Sequence, residues 1–339
     1  NLTNGKYGLD AKYLLCNGPF HVSKWTEKTS VKLAKNNEYN GESSVSPSSV
    51  TFYINNDDSE VADKMNSVTY DVAFLSSSQF SSIENKKDLN SVAVQNVTYS
   101  FIFNQNDNNY RNKNMRLAFC RSCDTSSLFD SQSDISKADG IVPPSCKIGG
   151  EDYRNGNAAE LLSYDETLAK KNFNDALLDL GSSSVETTML CTEQYESFVK
   201  QMVQKLQKTL GVKFVSTVKV VSESDLEAAV NDGNYSVAFY PFKAKSSFAG
   251  EIIEGFDQNN IFGYESDVLS QKIRNIKNNS GSLEGERSAV ADAENYLVSE
   301  AVIMPVFYEN SYFVTSKKTS GIYFYSSADN VCFINAKKS

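Results

Sequence analysis

The chain has 339 residues, 40% hydrophobic and 12% aromatic, with a formal net charge of −9. That is enough apolar material for packed cores, and the acidic balance excludes a phosphate-tracking nucleic-acid binder. A single histidine, His21, removes most metal sites and most triad chemistry, and no apolar run reaches the roughly 20 residues that span a bilayer.

The sequence opens on Asn1 with no basic-then-apolar leader, which reads as a processed or excised piece. Phe20–Trp25 and Ser30–Ala34 alternate around Glu27-Lys28-Thr29, predicting a β-hairpin. Val50–Ile54 predicts the next strand. Asp57-Asp58-Ser59 then opens an amphipathic stretch with Val61, Ala62 and Met65 on one face, and the carboxylates suit a helix N-terminus. Asp71–Leu75 reads as a short buried strand and Val92–Phe103 as a longer one. The order is β-α-β, so mixed α/β packing follows.

Beyond residue 110 the helical patterns lengthen. Asp165–Leu180 and Tyr195–Leu210 carry apolar residues at helical spacing and stop at Gly181 and Gly211. Val212–Val220 alternates as a strand. Ser224-Asp-Leu-Glu227 reads as a capping box for a helix ending near Gly233. Tyr235–Phe242 is the next strand, followed by helices over Asp267–Lys277 and Glu284–Glu300 and the strand Ala301–Tyr308. Strand-helix alternation points to a sheet sandwiched by helices.

Six cysteines stand at 16, 120, 123, 146, 191 and 332. Cys120 and Cys123 form a C-x-x-C on a helical-looking stretch, but no second pair or histidine completes a metal site, so a packing role outweighs zinc or redox chemistry. A disulfide from either to Cys146 stays open for an exported protein. Arg116 reads either as a ligand contact or as a residue tying loops together. His21 and Trp25 pack or face solvent.

Several landmarks recur in one order. Cys16-Asn-Gly-Pro-Phe20, with Val22 and Trp25, is similar to a G-T-G-P-Y/F hairpin opening, and Lys35-Asn-Asn-Glu-Tyr39 to a K-N-x-x-Y stretch. Tyr70-Asp-Val-Ala73 matches a G-x-x-D-x-A strand without its glycine. Phe101-Ile-Phe-Asn104 leads to Met115-Arg-Leu-Ala-Phe119 and Asp124. Asp139–Pro144 resembles a proline turn, Tyr164–Gly181 a Y-D-x-x-K-A helix, and Leu297–Tyr308 a closing I-L-x-x-x-x-P-x-I-P-L-Y segment. Across nearly its whole length the chain resembles the extracellular solute-binding proteins of family 5, the peptide and oligopeptide receptors of ABC importers.

The resemblance implies a type II periplasmic-binding-protein-like α/β fold of two lobes joined by paired crossovers, with the N-terminal part of the family fold absent. One lobe is expected from residues 1–104 plus 306–339, strand-rich and incomplete, with an exposed sheet edge or apolar face. The helix-rich other lobe spans 105–305. Crossovers are expected near Phe103–Gln105 and Pro305–Tyr308. The implied role is extracytoplasmic capture of a small polar solute or peptide for an ABC permease, by a bacterial monomer anchored as a lipoprotein or periplasmic. Neither cofactor, metal nor catalytic residue is called for. The ligand site is expected in the interlobe cleft at Asn104, Tyr240, Phe242, Lys243, Lys245, Ser246 and Phe248. The family's W-x-x-D-x-x-D-P stretch is replaced there: Phe242 stands for the tryptophan and Lys245 or Ser246 for the acid that pairs a peptide's amino terminus. A lysine at that point favours an anionic ligand group. Two other readings remain: a surface-interaction protein that kept the receptor fold, and a hydrolase, which lacks both a G-x-S-x-G elbow and a histidine near a serine and acid.

Overall fold

Covering a sheet on both faces calls for strands that are apolar throughout, whereas one-sided burial leaves alternation. Both kinds occur here, in different parts of the chain. The computed structural model describes residues 5–41, 44–54, 58–125, 128–129, 133–325 and 330–339. It begins with β1 (Phe20–Thr26), β2 (Ser30–Lys35) and β3 (Ser49–Tyr53), then α1 (Asp58–Asn66), β4 (Val72–Ser76), α2 (Ser77–Ser82) and β5 (Leu89–Val94). There follow β6 (Val97–Phe103), α3 (Lys113–Arg121), β7 (Ile135–Lys137), α4 (Glu166–Leu180), β8 (Val185–Cys191), α5 (Glu196–Leu210) and β9 (Phe214–Val220). Next come α6 (Glu223–Asn231), β10 (Val237–Lys243), α7 (Gly250–Glu254), α8 (Asp267–Asn278), α9 (Leu283–Ser299), β11 (Ile303–Glu309) and β12 (Ser311–Ser316). The chain divides into two compact units, residues 1–94 with 310–339, and residues 95–309.

In the first unit, β1, β2 and β3 form an antiparallel sheet. A second antiparallel sheet has the order β4-β12-β5. Helices α1 and α2 supply the cover for one of its faces, packing Ala62, Met65 and Ile83 with Leu75 and Val314. Ser76 caps α2, and the Gln79 side chain reaches back to its amide, which satisfies donors the helix start leaves free. The expected acidic helix start includes Asp57, which lies outside the described residues.

The second unit is built on a six-stranded mixed sheet of order β9-β8-β10-β6-β11-β7. Strands β9, β8 and β10 are mutually parallel, and β6 runs antiparallel to both β10 and β11. Helices α3, α4 and α5 pack on one face over Phe101, Phe103, Met189, Phe239 and Phe307. Helices α6 to α9 cover the other face over Ile102, Leu190, Ala238 and Ile303. Asp165 caps α4 by accepting from the Leu168 amide, and Gly181 closes that helix at φ 60°. Only glycine takes such a left-handed C-cap at little cost.

Four expectations change. The single strand read over Val92–Phe103 is two strands, broken at Gln95-Asn96, and they belong to different sheets. Residues 95–104 and 306–309, expected in the first lobe, lie in the second unit because β6 pairs between β10 and β11. The chain accordingly passes between units at 94/95 and 309/310. The cap of α6 is Ser222 rather than Ser224: its extended backbone lets the hydroxyl accept from the Asp225 amide, and Ser224 hydrogen-bonds to Ser222. Finally, all six cysteines are free thiols, with Cys120 and Cys123 in the core on one face of the sheet and Cys146 in the core on the other. The intervening sheet precludes the disulfide left open above.

Candidate functional site

In open α/β sheets, ligands gather beyond the carboxyl ends of the strands, where loops and unpaired backbone groups converge. Here that edge collects the end of β8, the end of β10 with its loop Lys243–Ala249, the end of β11, and the start of antiparallel β6. The loop is anchored to its neighbours by backbone bonds, Ala244 N to Asn96 O at 3.1 Å and Lys147 N to Ser247 O at 2.6 Å.

Six of the seven expected residues share this edge. Tyr240 and Phe242 share one face of β10 with buried Ala238 and are half-buried against the core there; their rings meet edge to face at 5.6 Å. Phe242 is further held against Phe256 and Phe262, so it serves as packed wall. Lys243 and Lys245 are exposed and Ala244 between them is buried, which follows from alternation continuing past the strand. Ser246 turns toward α7, donating to Glu251 Oε2 at 2.6 Å and accepting from the Phe248 amide. Phe248 packs against the core under α8 and α9. Burial pushes the Tyr240 hydroxyl upward, with nearby Glu227 acting in the same direction.

Asn104 does not belong with them. The register Val237–Phe103 and Lys243–Val97 puts Asn104 at the amino end of β10, about 20 Å along the strand from the lysine loop. Its buried amide donates to Gly233 O and Tyr235 O at 2.8 and 2.7 Å, and its Oδ1 accepts from Asn106. It is a structural clasp. The antiparallel direction of β6 was the missing information.

A tyrosine–carboxylate group on the same edge escaped the sequence reading. Tyr195 donates to Glu309 Oε1 at 3.1 Å and accepts from Gln194, with the Tyr99 ring centred 4.4 Å away. Burial first, then Tyr99 and Glu309, raise the Tyr195 hydroxyl far above its ordinary range. Tyr99 shares a face of β6 with Phe101 and Phe103, and that period-2 pattern was its only signal. Arg116 is buried and donates to the carbonyls of Tyr110, Arg111, Glu300 and Ala301, so of its two readings the loop-tying one holds. His21 and Trp25 are exposed on β1.

Burial pushes the Cys120 and Cys146 thiols up to about 12, away from the thiolate a metal or nucleophilic role needs. Among the described residues, no three His, Cys, Asp or Glu side chains are grouped to hold a metal ion, and no helix is long and apolar enough to cross a membrane. A groove of about 510 Å³ in the first unit, lined by Val92, Phe313 and Phe324 with Asn90, Thr315 and Thr319, contains none of the expected residues.

Comparison with solved structures defines the class first. The fold is similar to that of an oligopeptide ABC transporter substrate-binding domain from Bacillus anthracis, with TM-score 0.78 and 17% identity over 99% of this chain and 67% of that one. It is likewise similar to Listeria monocytogenes OppA bound to peptide, with TM-score 0.77 and 20% identity over 98% and 67% of the two chains. The type II binding-protein fold is therefore established. The model of the bacterial extracellular solute-binding proteins, family 5 (Middle), matches residues 2–262, and the chain belongs to that family. The dipeptide-binding protein DppE of Bacillus subtilis is 22% identical over 327 residues, 94% of this chain. The chain spans about 60% of the length of that relative.

Proposed function

We propose that this chain forms the ligand-capturing part of an extracytoplasmic receptor that delivers a small polar solute or short peptide to an ABC permease. Family membership supports a binding protein in preference to an enzyme, and the relatives named for dipeptide and oligopeptide binding support a ligand of that size. The observation that carries the reading is the loop at the carboxyl end of β10. Half-buried Tyr240 and Phe242 precede exposed Lys243 and Lys245, in the stretch where the resemblance sets Lys245 or Ser246 in place of the family's acidic residue. Apolar walls with a few polar orienters are what a small-ligand site needs, and a lysine selects an anionic group.

The test is calorimetric titration of short peptides with free or amidated carboxyl termini into wild type and Lys245→Ala. The expected result is roughly tenfold weaker binding of the free-carboxylate peptides to the variant, about 1.4 kcal/mol, with amidated peptides changed less than about twofold. Absence of binding by any small peptide or anionic solute, together with no thermal shift at high ligand concentration, would leave the surface-interaction reading in its place.

A further inference from the structure

The least expected group in the second unit is a buried carboxylate, Glu294 on α9, with its side chain only 1% exposed. Its Oε1 accepts from the Ile141 and Val142 amides at 2.7 and 2.9 Å, and its Oε2 from the Tyr153 hydroxyl and Arg154 Nη1, both at 3.0 Å. Arg154 Nη2 completes the ion pair, and its Nε donates to Val142 O at 2.7 Å. A Cβ at Gly140 would run into both members of the pair, so the loop passes over them at a distance only glycine permits.

Burying such a pair is not itself stabilising, since a well-packed apolar pair of similar volume does as well or better. What this pair holds is backbone. It fixes residues 141–142 and 153–154, the two ends of one segment. Inside that segment Tyr153 N donates to Cys146 O at 2.9 Å and Ser145 N to Gln95 O at 3.0 Å. Lys147, the next residue, then grips the loop that follows β10: it donates to Ser247 O at 2.6 Å, accepts from Ala249 N at 3.2 Å, and forms a parallel bridge with Phe248.

We propose that Glu294, with Arg154, is a positioning residue for the Lys243–Ala249 loop, acting through the 141–154 segment and the Lys147 bridge. It touches no ligand. Its effect is to hold the stem from which Lys243 and Lys245 project, and its importance for binding rests on the function proposed above.

The test is amide hydrogen exchange on the full chain without ligand, comparing wild type with Glu294→Gln and Tyr153→Phe. Glutamine keeps the side chain's shape but turns an amide toward Arg154 and the Tyr153 hydroxyl. Exchange at Lys147 and Ala249 should then accelerate roughly tenfold, while Ile273 on α8 and Met189 on β8 keep wild-type protection. Tyr153→Phe, which removes one donor and keeps the ring, should give a smaller change at the same two amides and remains readable if the first variant fails to fold. Acceleration confined to Ile141 and Val142, or spread uniformly through the second unit, would overturn the proposal. Tri-alanine titrated into wild type and Glu294→Gln then separates the two readings. Failure of both to bind counts against the peptide-receptor reading and leaves the relay intact, whereas equal affinity despite faster Ala249 exchange would show that the loop's position does not govern binding.

Discussion

The sheets of the two units are made from different sequence. In β6, Val97-Thr-Tyr-Ser-Phe-Ile-Phe103, every residue but Tyr99 is buried, because helices cover both faces. In β1, no residue is fully buried, and Trp25, Val31 and Phe52 line up across β1, β2 and β3 with Trp25 and Phe52 exposed. Apolar content alone does not make a core. The number of covered faces decides whether a large side chain is structural or free to change.

The strongest way to break this contrast is to truncate one aromatic in each sheet. Phe239→Ala on β10 removes a ring in contact with Phe101, Phe198 and Phe307, and should cost roughly 3–5 kcal/mol through lost burial and a residual cavity. Trp25→Ala on β1 should stay within about 0.5 kcal/mol. Urea midpoints would read both, and equal losses would remove the distinction. A smaller effect is expected from polar deletions. Asn104→Ala strands the Gly233 and Tyr235 carbonyls in a buried setting and should cost roughly 1–3 kcal/mol, while Ser23→Ala on the exposed hairpin should be near neutral. The mildest probe leaves stability untouched. Iodoacetamide at pH 8 should label exposed Cys16 in the first unit roughly a hundredfold faster than buried Cys120, Cys123 and Cys146 in the second, as mass spectrometry of the digests would show.

The same contrast explains what was legible in the sequence. The helices over 166–180, 196–210 and 267–278 announced themselves, since each combines a 3.6-residue apolar stripe with a capping residue or a terminal glycine. The break at Gln95-Asn96 did not, because the strands on either side are both apolar and no glycine or proline marks the joint. The loop after β10 was found through its aromatic and lysine residues. Asn104 was misplaced because the direction in which β6 enters the sheet is set by pairing partners more than a hundred residues away. Glu294 and Arg154 gave no signal at all: on paper they are two ordinary charged residues, and only the fold brings them together.

The order of the strands has a kinetic consequence. Strand β6 is flanked by β11, whose pairing joins Ile102 to Ile303 across roughly two hundred residues, and β12 is the middle strand of the sheet that unites β4 and β5. Neither sheet can close until the same short stretch, 303–316, has left the ribosome or the translocation channel. Contacts of such long sequence separation fold slowly, because a large loop must be closed before any pairing energy returns. The apolar strand β6 therefore waits with unpaired edges until β10 and β11 arrive, which is the interval in which aggregation competes with folding. The second unit is one continuous segment that β11 closes. The first is split around it and its β4 and β5 are joined only when β12 follows, so the part of the chain made first is completed second.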